Sequence, residues 1–317
     1  MKLQANTVQD LGLRYVGARS NRKNQKHLRK HFRKHYGSAP KDIADQWNDL
    51  CDIQVDDDGS ALYISCDWDE HGRLPTKDKS EKGFKRFMVS HFWLWAKPKN
   101  AEMMASRFRM CADYMQGKPL WKWHGRIASL AGKKIVWDES LDSNNTEVFA
   151  ITSDGVDFPI WELQDPDFPM DSKNMSHKFR GCAAKYIIAL STFRSKCVHI
   201  AGPYRGGKPD LEIFRECGLM EKLQLSGKVC IVDRGFKSSV SAERKVFAYP
   251  DYVDSSELHN FKSRARLRQE TFNRRLKHFG CLERTFTNGF DKHGIAMRAV
   301  AVTVQYQMDN GSPLYEV

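Results

Sequence analysis

The sequence predicts an α/β protein in which an α-helical region precedes a domain of strands and helices. Three observations carry this reading. Apolar residues keep a helical period across 84–95, short β-rich runs begin near residue 147, and helical stretches over 258–278 and 293–308 follow them. A chain of 317 residues with 41% hydrophobic content can bury a core, which excludes a disordered or fibrous class.

Near the N-terminus, residues 22–35 read RKNQKHLRKHFRKH. Leu28 and Phe32 stand four apart and form a thin apolar seam on an otherwise cationic helix, which suits phosphate contact or nuclear import as well as a solvated basic face. DIADQWNDL reads as a helix, and Asp56, Asp57 and Asp58 form an acidic patch before ALYISCDW. Phe84, Phe87, Met88, Phe92 and Trp95, with His91 on the same stripe, make a core-facing helix. After Pro98, Asn100 caps a second helix through Met104 and Phe108, and a third segment runs from Cys111 towards Leu130. Three helices so closely connected suggest a helix-turn-helix at 84–130; Gly117 and Pro119 interrupt its last helix, and a plain bundle cored by Trp121 and Trp123 is the alternative.

From 147 the runs EVFAITS, FPIWE, KYIIALS, KCVHIAG, VCIVD and KVFAYP read as strands, with a helix from Asp210 to Leu223 between the fourth and fifth. The final helix, with Ile295, Val300, Val302 and Val304, is expected to pack on the sheet. The pattern change divides the chain into a basic helical region, 1–146, expected to bind DNA, and an α/β domain, 147–317.

Charge narrows the partner. Lys and Arg total 51 against 39 Asp and Glu, a net +12 with a pI near 9.3, which places nucleic acid first and an anionic membrane second. No run approaches the roughly 18–20 apolar residues of a membrane helix, and the N-terminus lacks a signal peptide's apolar core, so a soluble, non-secreted protein is expected. The 8 cysteines contain no CxxC pair, and His27, His31 and His35 lie among Lys and Arg, so reduced thiols and no structural zinc are expected. Arg205 and Lys208 in PYRGGKPD can meet phosphate, but GxxxxGK[ST] is absent, which excludes a P-loop NTPase reading.

Three carboxylates stand out by position. Asp154 follows VFAIT and precedes Gly155, and Asp233 ends VCIV before Arg234 and Gly235. Glu270 lies on a helical face with Arg266, Asn273, Arg274 and Lys277, opposite Ala265, Phe272, Leu276 and Phe279. Two strand-end aspartates and a helical glutamate can converge on hard divalent cations and support in-line phosphodiester displacement. Each residue alone also has a plain reading: turn-forming aspartates, and a glutamate in i, i+4 pairs with Arg266 and Arg274.

The ordered set ITSDGVDFPIWE, SHKFRGCAAKYIIAL, HIAGPYRGGKPDLEIFR, VCIVDRGF, RLRQETFNRRLKHFG and KHGIAMRAVAVTVQYQ resembles the DDE superfamily endonucleases of the PIF/Harbinger and IS5-like transposases. The resemblance covers roughly residues 147–310. It implies an RNase H-like fold, a mixed sheet flanked by helices, with a catalytic and metal-binding triad of Asp154, Asp233 and Glu270 holding two Mg2+ or Mn2+ ions. Asp154 would bridge both ions, with Asp233 on one and Glu270 on the other. Asp210, just before Ile213, Phe214 and Arg215, is either a further metal ligand or the N-cap of the helix starting at Leu211. His177, Lys178 and Arg180, with Arg234, Arg266, Arg274 and Lys277, would contact double-stranded DNA, both transposon ends and target. The resemblance further implies a nuclear protein (cytoplasmic if prokaryotic), a homodimer or higher oligomer, and a Myb-like accessory protein. A domesticated, inactive DNA-binding derivative is the alternative.

Overall fold

The computed structural model describes residues 2–18, 24–52, 79–96, 108, 117–137, 148–161 and 171–317. In chain order, the principal helices α1 (Ala5–Tyr15), α2 (Gln25–Tyr36), α3 (Pro40–Cys51), α4 (Lys79–Ala96) and α5 (Lys118–Ser129) precede the first strand. Then come β1 (Phe149–Pro159), β2 (Met175–Ser176), β3 (Gly181–Ser191), β4 (Cys197–Arg205), α6 (Asp210–Glu216), α7 (Leu219–Ser226), β5 (Val229–Ile231), β6 (Phe247–Ala248), α8 (Ser256–Lys277) and α9 (Phe290–Asp309). These pack as two compact units: Met1–Lys133 with His278–Cys281 and Ile295–Ser312, and Lys134–Lys277 with Leu282–Gly294 and Pro313–Val317.

In the helical unit, α2 starts where the Asn24 side chain accepts a hydrogen bond from the His27 amide. It stops at Gly37, whose left-handed φ of 70° and close approach to the Trp95 ring leave no space for a side chain. Its seam of Leu28 and Phe32 extends to Tyr36, and all three are buried. Trp47 of α3 is fully buried, stacked at 6.0 Å on Trp123 of α5 and edge-on at 5.1 Å to Phe84 of α4. Gly117 and Pro119, expected to interrupt a helix, instead begin α5 as its N-cap and first turn, where the missing Pro N–H costs nothing. The expected final-helix packing is also corrected. Residues 295–312 join the helical unit, where Gln307 donates to Ser38 Oγ at 2.9 Å and Tyr306 donates to Asp49. The polar groups along α9 find their partners on the helical bundle.

Asp56, Asp57, Asp58, ALYISCDW, and most of the expected second and early third helices of 84–130 lie outside the described residues. Cys51 is disulfide-bonded, which departs from the expectation of reduced thiols throughout, whereas Cys182, Cys197, Cys217, Cys230 and Cys281 are free. No described helix is long and apolar enough to cross a membrane.

The second unit is built on a mixed sheet in the order β2-β3-β1-β5-β6, with β4 also paired to β3. β3 runs antiparallel to β1 and β4, while β5 runs parallel to β1 and β6. β3 is buried along almost its whole length, as a strand covered on both faces requires. On one face Ile187, Ala189 and Ile151 pack with Ile213, Phe214, Leu219 and Leu223 of α6 and α7. On the other, α8 lies against β1 and β5, burying Ala265, Phe272 and Leu276. The expected helix from Asp210 to Leu223 is two, broken at Gly218 in the left-handed conformation, φ 79°. EVFAITS and FPIWE, expected as separate strands, join in one continuous β1, so Asp154 lies within a strand and not at its end.

Candidate active site

The register of β1 and β5 positions the first two carboxylates. Thr152 pairs with Ile231 in the last parallel rung, after which β5 stops while β1 continues against β3. Asp154 and Asp233 each follow that rung by two residues, so both stand just beyond it at the same sheet edge. One Asp233 carboxylate oxygen accepts from the Gly235 amide at 2.8 Å, holding the chain in a 3-10 turn, and the other lies 3.9 Å from Arg266 of α8.

Helix α8 is anchored to the sheet by buried polar side chains. Thr152 donates to Gln269 Oε1 at 2.9 Å, and Arg268 donates to the carbonyls of Ser191 and Thr192. One turn beyond Gln269, Asn273 donates its amide to Asp154 Oδ2 at 2.9 Å. Burial pushes the Asp154 carboxyl up to about 6; Asp233 and Asp210 act in the same direction, against the cations Lys178 and Arg266. Partial desolvation lowers Lys277, with Lys178 acting alongside it and Asp157 and Asp154 opposing.

Side chains alternate across β1, so Gly155 faces the opposite side, where an added Cβ would overlap the Asp210 carboxylate. Asp210 is the first residue of α6; Pro209 is the N-cap, so the expected capping role is not the one taken. Its carboxylate instead meets Lys185 of β3 at 3.0 Å, and Lys185 also donates to the Lys208 carbonyl at 2.8 Å. Asp157 stands 4.0 Å from Lys185 and accepts from Ser176 Oγ at 2.5 Å. Ser176 Oγ in turn accepts from the Lys178 amide, and the Lys178 ammonium reaches back to the Gly155 carbonyl at 2.8 Å. Lys185 is the residue that sequence reasoning missed here. Its signal was a lone cation inside GCAAKYIIALS, which a buried strand must pair with acid.

Glu270 is exposed on the α8 stripe of Arg266, Asn273 and Lys277 and makes no ion pair with Arg266 or Arg274. His177, Lys178 and Arg180 are exposed on the turn between β2 and β3, with Arg180 at a left-handed φ of 51°. Arg234, Arg274 and Lys277 are exposed. Among the described residues, no three His, Cys, Asp or Glu side chains form a metal-holding group. The donor chemistry at Asp154 nonetheless fits a hard divalent cation: a half-buried carboxylate destabilised by two others, with oxygen ligands only.

A mixed sheet with helices on both faces, and two carboxylates just beyond the last parallel rung of β1 and β5, is consistent with the fold of a DDE nuclease. Residues 154–305 match the family described as DDE superfamily endonuclease. The match opens on Asp154 and includes Asp233 and Glu270. No curated protein and no solved structure matches the chain.

Proposed function

We propose that the protein is a transposase-like DNA endonuclease that hydrolyses and transfers phosphodiesters. The observation that carries this reading is the register of Asp154 and Asp233 at one sheet edge, inside the segment that matches the endonuclease family. Asp154 and Asp233 would hold divalent cations, Mg2+ or Mn2+, with Glu270 supplied from α8. Bound there, such ions lower the pKa of water or a 3′-hydroxyl and offset charge on the leaving oxygen. Asn273 orients Asp154, and Arg266 beside Asp233 is placed to meet a phosphate. Lys178, Lys277 and Arg234 offer further cations to the DNA backbone, with His177, Arg180 and Arg274 beyond them. The family resemblance supports a Harbinger-type, nuclear enzyme acting as a dimer on paired DNA ends with a Myb-like partner.

A second reading, a DNA-binding derivative without cleavage, is favoured by the exposed, unpaired Glu270 and by the lack of a three-ligand group among the described residues. Nicking of supercoiled DNA by wild type and Asp233→Asn, in Mg2+, Mn2+ and EDTA with binding followed in parallel, decides between them. Metal-dependent nicking lost in the variant supports the enzyme; binding without nicking by either protein supports the derivative.

A further inference from the structure

Two histidines of the helical unit meet on α2. His31 and His35 stand four residues apart, so their rings share one helix face; Nε2 of His35 lies 3.4 Å from Nε2 of His31, with the ring centroids 5.0 Å apart. Two imidazolium rings would each bring a proton and a charge to that gap, whereas a single shared proton makes one ring the donor and the other the acceptor. The same gap suits a metal ion. Two Zn–N bonds of about 2.0–2.1 Å at the tetrahedral angle set their nitrogens about 3.3–3.4 Å apart, while a square-planar ion would need about 2.9 Å.

The core holds the pair in place. Leu28, Phe32 and Tyr36 are buried and fix the rotation of α2, and Trp95 donates to the Lys34 carbonyl at 3.1 Å in its last turn. The His35 ring lies 6.3 Å from Phe92 of α4 and nearly parallel to it, and edge-on to Tyr36. Both histidines are half-buried, whereas His27, one turn earlier, is exposed with its ring 6.4 Å from that of His31. Two ligands set on a packed helix need little further ordering to bind an ion. Lys30 and Lys34 beside them are exposed, so their repulsion of a bound cation is screened by solvent.

We propose that His31 and His35 bind zinc through their Nε2 atoms, with water completing the tetrahedron. Binding takes both rings neutral, with their protons on Nδ1, so the ion displaces the shared proton. The ion bridges successive turns of α2, and the unfolded chain lacks this juxtaposition, so zinc stabilises the folded helical unit. Imidazole ligands separate the site from the oxygen-donor edge at Asp154 and Asp233, which suits Mg2+ or Mn2+. The inference departs from the expectation of no structural zinc, which rested on the cations around these histidines, and it does not depend on DNA cleavage.

The full chain, stripped with EDTA and desalted at about pH 7.5, where ordinary imidazoles are neutral, is dialysed against zinc and unfolded thermally in Zn2+ or Mg2+. Wild type should bind about one zinc more than His31→Ala or His35→Ala, and its unfolding temperature should rise with zinc by an increment that both variants lose. Loss of a supporting partner alone costs 10–100-fold in metal affinity, so loss of one of two ligands should weaken this site by more than about 10-fold. His27→Ala should match wild type. If circular dichroism shows that His35→Ala is unfolded for want of its Phe92 contact, His31→Ala decides alone. Equal zinc binding by wild type and His31→Ala, an equal loss in His27→Ala, or a Mg2+ response that the His31 and His35 variants also lose overturns the proposal.

Discussion

Asn273 donates its side-chain amide to Asp154 across 2.9 Å, joining helix α8 to the strand whose carboxylate lies beside Asp233. The contact fixes one oxygen of Asp154. Removing such a supporting partner typically costs 10–100-fold in metal affinity or activity. Asn273→Ala should therefore lower metal-dependent nicking by about 10-fold or more while DNA affinity in EDTA stays unchanged. An equal fall in DNA affinity would show that Asn273 serves DNA binding instead.

Gly155 is held without a side chain by Asp210. Gly155→Ala should destabilise the α/β unit by about 1–3 kcal/mol through overlap with that carboxylate. The double variant Gly155→Ala/Asp210→Ala should be less destabilised than the single effects predict, since the second change removes the atoms in conflict. Additive urea-unfolding energies would refute the steric account.

Lys185 is the counter-ion of a buried acidic pair. Its side chain is 10% exposed, and those of Asp157 and Asp210 are 2% and 20% exposed. Lys185→Met should cost about 3–5 kcal/mol, because the acids lose their partner while remaining buried. Denaturant unfolding at pH 7 measures this. A loss below about 1 kcal/mol would mean that water already serves these groups.

The helical unit carries an acid-sensitive pair. Burial lowers both His91 of α4 and His124 of α5 to about 3. Folding-state pKa values below the ordinary 6.5 mean that the unfolded chain takes up protons first. The stability from neutral rings is thus present above pH 6.5 and lost as pH falls towards 3. Asp42, raised to about 6 by burial, acts in the opposite sense between pH 6 and 3.8. Unfolding midpoints at pH 7.5, 6.5 and 5.5 should fall for wild type and fall less for His91→Leu/His124→Leu. Parallel curves would exclude the histidines as the cause.

Much of this architecture was legible in one dimension. The short β-rich runs announced β1, β3, β4 and β5, and helical stretches announced α4, α8 and α9. Misreadings came where local signals have two meanings. Gly117 and Pro119 break a helix interior but suit its start, and apolar positions on α9 cannot say which surface they will meet. Asp154 with Gly155 has the look of a strand end, yet β3 carries β1 on to Pro159.

At the site, sequence alone determined the chemistry on offer: carboxylates beside glycines, a basic helix, and a net charge suited to a polyanion. Tertiary structure decided which groups meet. Strand register brought Asp154 level with Asp233, and side-chain alternation sent Gly155 and Asp210 to the other face. Anchoring of α8 selected Asn273, not Glu270, for the hydrogen bond to Asp154. Periodicity follows from bonding between near neighbours, whereas meetings between residues far apart in the chain depend on register and on which face each side chain takes. Those are settled only when the whole sheet is assembled.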